Sequence, residues 1–140
     1  MARLEQPQKI LQPPGWPAPK GYSNGVVAEG RLVFLAGLIG WNAQGEFESD
    51  SMAEQTRQTL QNVVTVLGEA GAKPEHVVRM TWYITDKLEY HANLTSIGDA
   101  YRETFAKHYP AMAMVQVAAL MEDRAKIEIE ATAVIPEDET

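Results

Sequence analysis

The 140-residue chain contains no cysteine. A disulfide scaffold, a thiolate nucleophile and every cysteine-ligated zinc or iron–sulfur centre are thereby excluded. Histidine is scarce too: His76, His91 and His108 are the only three, and none pairs at a ligand spacing such as H-x-x-x-H. No metal site is expected, and each histidine reads as a surface or capping residue. Positive charge is thin, with Lys+Arg 12 against Asp+Glu 19 and a formal net charge of −7. The arginines form no basic run, whereas a nucleic-acid surface needs a clustered positive footprint; no nucleic-acid partner is expected. No apolar run approaches the ~18 residues that span a membrane, and the opening MARLEQPQKILQPPGW lacks the apolar core of a secretory signal. The expectation is a cytoplasmic protein without membrane contact. Phosphate-binding loops (G-x-x-x-x-G-K-S/T, G-x-G-x-x-G) and the G-x-S-x-G nucleophile elbow are missing as well, and Ser23 has no neighbouring histidine to activate it.

What is present is a chain of one-domain length, able to bury ~70% of its unfolded surface without covalent staples. Three parts are expected: a proline-rich arm over 1–20, a single domain over 21–136 and an acidic tail over 137–140. In the arm, Pro7, Pro13, Pro14, Pro17 and Pro19 fix φ and remove donors, which predicts an extended segment. Trp16 is its one large anchor, for its own domain or for a neighbouring subunit. Strand-like runs on either side of Glu29-Gly30 predict a hairpin, with Gly30 supplying a positive φ. The second run, Arg31 to Gly37, is apolar on both faces and should be covered on both. Gly37 and Gly40 bracket Leu38-Ile39, where a bend or the close approach of a backbone or ligand calls for glycine.

Ser51 with Glu54 fits a capping box, and Thr56, Leu60, Val63, Val64 and Leu67 form one helical stripe. Gly71 stands where a C-terminal cap belongs, so a helix is predicted over about 51–70. HVVRMTWYIT (76–85) alternates as a strand, with Val78, Met80, Trp82 and Ile84 on one face. A second helix, over roughly 89–107, carries Leu94, Ile97, Tyr101 and Phe105 as its stripe, while Asp99, Arg102 and Glu103 read as surface charges. Gly98 interrupts it at ~1 kcal/mol relative to alanine, which implies close packing or a ligand there.

Residues 110–135, PAMAMVQVAALMEDRAKIEIEATAVI, read as two strands joined by a polar turn at Met121 to Arg124. In the second, Glu128, Glu130 and Thr132 alternate with Ile127, Ile129, Ala131 and Ala133. Glu128 is either a solvated strand residue or a group placed for chemistry, and periodicity does not decide between them. The order β-β-α-β-α-β-β is an α+β fold, a five-stranded sheet with two helices on one face. The helices leave the second apolar face open, which calls for another copy of the chain, a homo-oligomer.

The run GYSNG followed by GRLVFLAGLIG, the helix start EQTRQTLQNV, the strand VVRMTWYITD, and PAMAMVQVAAL with KIEIEATAV together resemble the Rid family, also called the YjgF family. The resemblance spans about Gly21 to Val134. It implies a chorismate-mutase-like fold with a mixed sheet, and a homotrimer with clefts between subunits. It also implies hydrolysis of reactive enamines and imines to a 2-keto acid and ammonia, without a cofactor. Site residues carry over one at a time. The tyrosine of the family's G-P-Y motif matches Tyr22, and its water-activating glutamate matches Glu128. Its pocket-side turn matches Gly37-Leu38-Ile39-Gly40, bringing in Gly37 and Ile39. The carboxylate-gripping arginine of its P-A-R-S motif falls on Met112, the serine after it on Ala113 and a frequent cysteine on Met114. A frequent asparagine falls near Gly98.

The missing arginine has physical weight. A guanidinium grips a carboxylate through two charge-assisted hydrogen bonds, each worth ~1.5–3 kcal/mol, and methionine offers none. The usual small 2-imino acids should bind poorly unless another arginine or lysine takes over. Met112 and Met114 would then form a soft apolar pocket floor, or simply fill the cleft. Two expectations follow. One is an imine or enamine hydrolase for a more apolar substrate, with Glu128 as base. The other is a non-catalytic trimeric ligand-binding or interaction protein with an apolar pocket between subunits. A ribonuclease, another activity associated with the family, fits the charge worst.

Overall fold

The computed structural model describes residues 7–139; the first six residues of the arm and Thr140 of the acidic tail lie outside them. Among the described residues the α-helices and β-strands follow in chain order as β1 (Gln8–Ile10), β2 (Val26–Ala28), β3 (Arg31–Ile39), α1 (Met52–Glu69), β4 (Val77–Ile84), α2 (Lys87–Ala92), α3 (Leu94–Phe105), β5 (Ala111–Gln116) and β6 (Ile127–Ile135). The main sheet has the order β3-β6-β4-β5. Its first three strands are antiparallel neighbours, and β5 joins β4 in parallel, so the sheet is mixed.

Local chemistry accounts for α1. Ser51 Oγ accepts the Glu54 N–H at 3.3 Å, while the Glu54 carboxylate pairs with Arg57 instead of reaching back, so the capping box is half formed. At the other end Gly71 takes φ +73°. The Ala72 and Gly71 N–H groups then return to the carbonyls of Leu67 and Gly68, both at 3.0 Å, in a Schellman arrangement. Thr56, Leu60, Val63 and Leu67 are buried as the stripe requires. They meet Ile97, Tyr101 and Phe105 of α3 and the buried row Met80, Trp82, Ile84, Ile127 and Ile129 of the two central strands. Both long helices thus cover one face of the sheet.

Several local expectations are corrected. The runs flanking Glu29-Gly30 do not form a hairpin: β2 pairs with β1 of the arm in a separate two-stranded sheet. Gly30 does have φ +148°, but its role is contact, because a Cβ there would lie 2.0 Å from the Ile135 carbonyl oxygen. The main sheet therefore has four strands, not five. The strands within 110–135 are not a hairpin either, since β4 lies between β5 and β6. A bulge near Val78 buries Val77 in place of Val78. The helix expected over 89–107 is two helices that meet at Asn93, whose φ of −122° leaves the helical region. Asp86 starts the first of them by accepting the N–H groups of Leu88 and Glu89. Trp16 stands 61% exposed, so it does not anchor the arm to its own domain.

The face of the sheet turned away from the helices is uncovered in the single chain. Leu32 and Phe34 of β3 are 61% and 72% exposed there, beside Arg79, Thr81, Tyr83, Glu128 and Glu130.

Candidate functional site

A cavity of about 660 Å³ lies between α3, the β4–β5 pair and the segment at Lys20 to Tyr22. Its floor follows from register. Met112 pairs with Met80 and Met114 with Trp82, so both methionines share the helix-covered face of the sheet and line the cavity. Its inner wall is aromatic. Tyr101 stacks on Tyr109 with centroids 5.5 Å apart and planes 7° from parallel, and Trp82 lies tilted at 6.2 Å from Tyr101. The Tyr101 hydroxyl donates to the His108 carbonyl, and burial, with a smaller contribution from Tyr109, pushes this phenol well up from its usual value. Trp82 is 2% exposed, and its indole N–H has no partner among the described residues.

Tyr22 reaches the cavity because its neighbour is tied down. Ser23 bridges to Ala111 beside β5, donates its N–H to the Pro110 carbonyl at 3.1 Å, and donates its hydroxyl to the Tyr109 carbonyl at 2.5 Å. Ser23 is therefore a buried structural donor. At the mouth stand Lys20 of the arm and Arg102 of α3.

Glu128 lies elsewhere. It pairs with Tyr83 of β4 and Ile39 of β3, on the open face. Its side chain crosses Gly37 so closely that a Cβ on that glycine would sit 2.4 Å from Oε2. None of the described residues donates a hydrogen bond to the Glu128 carboxylate or forms an ion pair with it, whereas its neighbour Glu130 accepts the Tyr83 hydroxyl at 2.7 Å. That bond, then desolvation and the charges of Glu130 and Glu128, raise the Tyr83 phenol above its usual range. Ile39 is buried at the strand end, where its carbonyl accepts from Asn62 Nδ2 at 2.9 Å. Gly40 is required by α1, since a Cβ there would meet the Gln55 carbonyl oxygen at 2.6 Å.

The residues singled out from the sequence thus form two groups. Tyr22, Met112 and Met114 line the cavity, while Gly37, Glu128 and Ile39 gather at the β3–β6 pair. A single chain does not join them into one cleft, because successive residues of a strand point to opposite faces and the sheet stands between. Sequence reasoning missed Lys20, Arg102, Tyr109, Tyr83 and the site role of Trp82. Arg102 carried a usable signal: it follows Gly98 by four residues, the helical spacing that lays a long side chain over a bare turn. His76, expected at the surface or in a cap, is buried and caps, its Nδ1 accepting the Lys73 N–H at 3.0 Å. Among the described residues no three His, Asp or Glu side chains cluster so as to hold a metal ion, and no helix is long and apolar enough to cross a membrane.

The fold defines a class: α+β proteins in which a helix pair covers one face of a mixed sheet. Comparison with known proteins narrows it. Residues 16–135 match the family described as Endoribonuclease L-PSP. The 2-iminobutanoate/2-iminopropanoate deaminase of Bos taurus is 33% identical over 129 residues, which cover 91% of this chain and 90% of that protein. The crystal structure of YyfB from Yersinia pestis, a Rid-family protein, superposes with a TM-score of 0.81 at 33% identity, covering 93% of this chain and all of that one. Escherichia coli TdcF with bound serine gives a TM-score of 0.65 at 36% identity, covering 91% and 98%. The chain belongs to the Rid, or YjgF, family. Relatives named as imine deaminases support imine or enamine deaminase chemistry at the level of the family.

Proposed function

We propose that this protein is a cofactor-free imine or enamine hydrolase whose reaction centre is completed between copies of the chain in a homotrimer. The substrate occupies the aromatic cavity of one copy, over Met112 and Met114 and beside Tyr22. Glu128 of a second copy faces its reacting carbon. The observation that carries this reading is the Glu128 carboxylate, held over Gly37 with no donor engaged among the described residues. A general base needs an accessible lone pair within hydrogen-bond reach of water, and a merely solvated strand glutamate would not require a glycine beneath it.

The chemistry is balanced with water alone. Glu128 takes a proton from water as its oxygen bonds to the imine carbon, and the C=N electron pair moves to nitrogen. The same carboxyl then protonates nitrogen; the carbinolamine expels ammonia and leaves the keto compound. Glu128→Gln keeps the shape and removes the base. It is expected to lower turnover of imines generated in situ by about 10²–10⁴-fold with little change in thermal unfolding. Equal inactivity of wild type and variant on every imine tested would leave the non-catalytic binding trimer as the reading to adopt. The formal charge of −7 and scattered arginines continue to weigh against an RNA substrate.

A further inference from the structure

The charge lining the cavity is the opposite of the charge on the protein. The chain carries a formal net charge of −7, yet the charged residues that line the cavity are Lys20 and Arg102, with no carboxylate among them. Arg102 is seated there by the helix itself. At Gly98, one turn earlier, a Cβ would lie 3.2 Å from Arg102 Nη1, so the guanidinium leans over a bare turn that a side chain would crowd. Only Nη2 is engaged, with Asp99 Oδ1 at 2.7 Å in an exposed pair. Nε and Nη1 have no partner among the described residues and remain free to donate. Below this cationic rim the walls are aromatic and thioether surface, with the unpartnered Trp82 N–H at depth. A cavity of about 660 Å³ lies in the range that buries drug-sized ligands, and a four-carbon acid would leave most of it empty.

We propose that Arg102, assisted by Lys20, is the carboxylate anchor of this site. The substrate is then the imine of a 2-keto acid with an aromatic or long apolar side chain. The carboxylate lies at the mouth against the guanidinium, and the side chain points inward over Met112, Met114, Trp82 and the Tyr101–Tyr109 stack. The reacting carbon, being next to the carboxylate, also lies at the mouth, where a base from another copy can reach it. This inference rests on the imine-hydrolase reading of the same cavity and adds the substrate class and the residue that selects it.

Two measurements separate the anchor from the catalysis. In the first, phenylpyruvate, pyruvate and 2-phenylethanol are titrated calorimetrically into wild type, Arg102→Met, Arg102→Lys and Asp99→Asn. Phenylpyruvate should bind wild type more tightly than either of the others. Arg102→Met should weaken it roughly 10- to 100-fold with unchanged thermal unfolding, Arg102→Lys should restore part of the loss, and Asp99→Asn should bind at least as well as wild type. In the second, imines of phenylpyruvate and of 2-oxobutyrate are generated in situ. The aromatic imine should have the higher kcat/KM, and Arg102→Met should raise its KM with kcat little altered. Binding that follows the expected pattern without any imine turnover would keep the anchor and overturn the hydrolase reading. Equal binding of phenylpyruvate by wild type and Arg102→Met, or pyruvate bound as tightly as phenylpyruvate, would overturn the anchor.

Discussion

Gly37 interrupts the interior of a strand, where a residue without a side chain ordinarily weakens the sheet, and the reason is the carboxylate of Glu128 resting on it. Gly37→Ala should therefore displace the carboxylate more than the backbone, because the atoms it meets belong to the end of a flexible side chain. Turnover is expected to fall toward that of Glu128→Gln while the midpoint of thermal unfolding barely moves; a fully active Gly37→Ala would show that the position of this carboxylate is unimportant. Gln55 is a second residue whose role the sequence hides. Buried in the first turn of α1, it donates Nε2 to the carbonyls of Ser49 and Arg124 and accepts the Lys126 N–H at 2.8 Å, clamping the approach to β6. Gln55→Leu leaves that part-buried N–H and the two carbonyls without their partner and should cost about 2–4 kcal/mol in urea unfolding. The Arg124 and Lys126 partners lie 69 and 71 residues along the chain, so no local pattern announces the clamp. Arg102 was marked only by its spacing from Gly98, because a charged residue on a helix otherwise looks the same whether it faces water or the mouth of a cavity.

Elements with a strong period were legible and their partners were not. α1 was readable end to end because its stripe, its Ser51 cap and its Gly71 stop all agree. β6 was readable because burial of Ile127, Ile129, Ala131 and Ala133 against the helices enforces alternation. Pairing is another matter. A polar stretch between two strands is compatible with a hairpin or with a connection that passes over a third strand, and β4 occupies the place a hairpin would have closed. The arm contributed a strand that its prolines gave no reason to expect, since Gln8–Ile10 falls in the gap between Pro7 and Pro13. Partly and fully buried phenols on α2 and α3 also set a pH response. Burial raises the phenols of Tyr101 and Tyr90 above their usual value. Above a pH of about 10 the unfolded chain loses these protons first, so folding loses stability as pH rises, while below that value the contribution is complete. Urea midpoints should hold up to about pH 9 and decline beyond about pH 10. Tyr101→Phe, although less stable at neutral pH for want of its bond to the His108 carbonyl, should decline less steeply. Phenolate absorbance rising only with unfolding would identify the buried rings as the cause.

At the scale of the whole molecule, the uncovered sheet face is the feature that asks for company. Leu32 and Phe34 offer it apolar area that a lone copy leaves in water. Phe34→Glu, which places a charge among residues already facing Glu130 and Thr132, is expected to convert the proposed trimer into monomers in sedimentation velocity. Far-ultraviolet circular dichroism should be unchanged and imine turnover should disappear. Retention of the trimer would locate the interface elsewhere. In the proposed homotrimer, the sheet that parts Glu128 from Met112 assigns the two to different copies of the chain, with a consequence that can be read in genetics. Two alleles that are each inactive, Glu128→Gln and a cavity-filling Gly98→Trp, damage different halves of the centre. Co-expressed, they should complement one another: random mixing in a closed ring gives about one intact centre in four, whereas the same two changes carried on one chain, mixed with either parent, never exceed what that parent alone supplies.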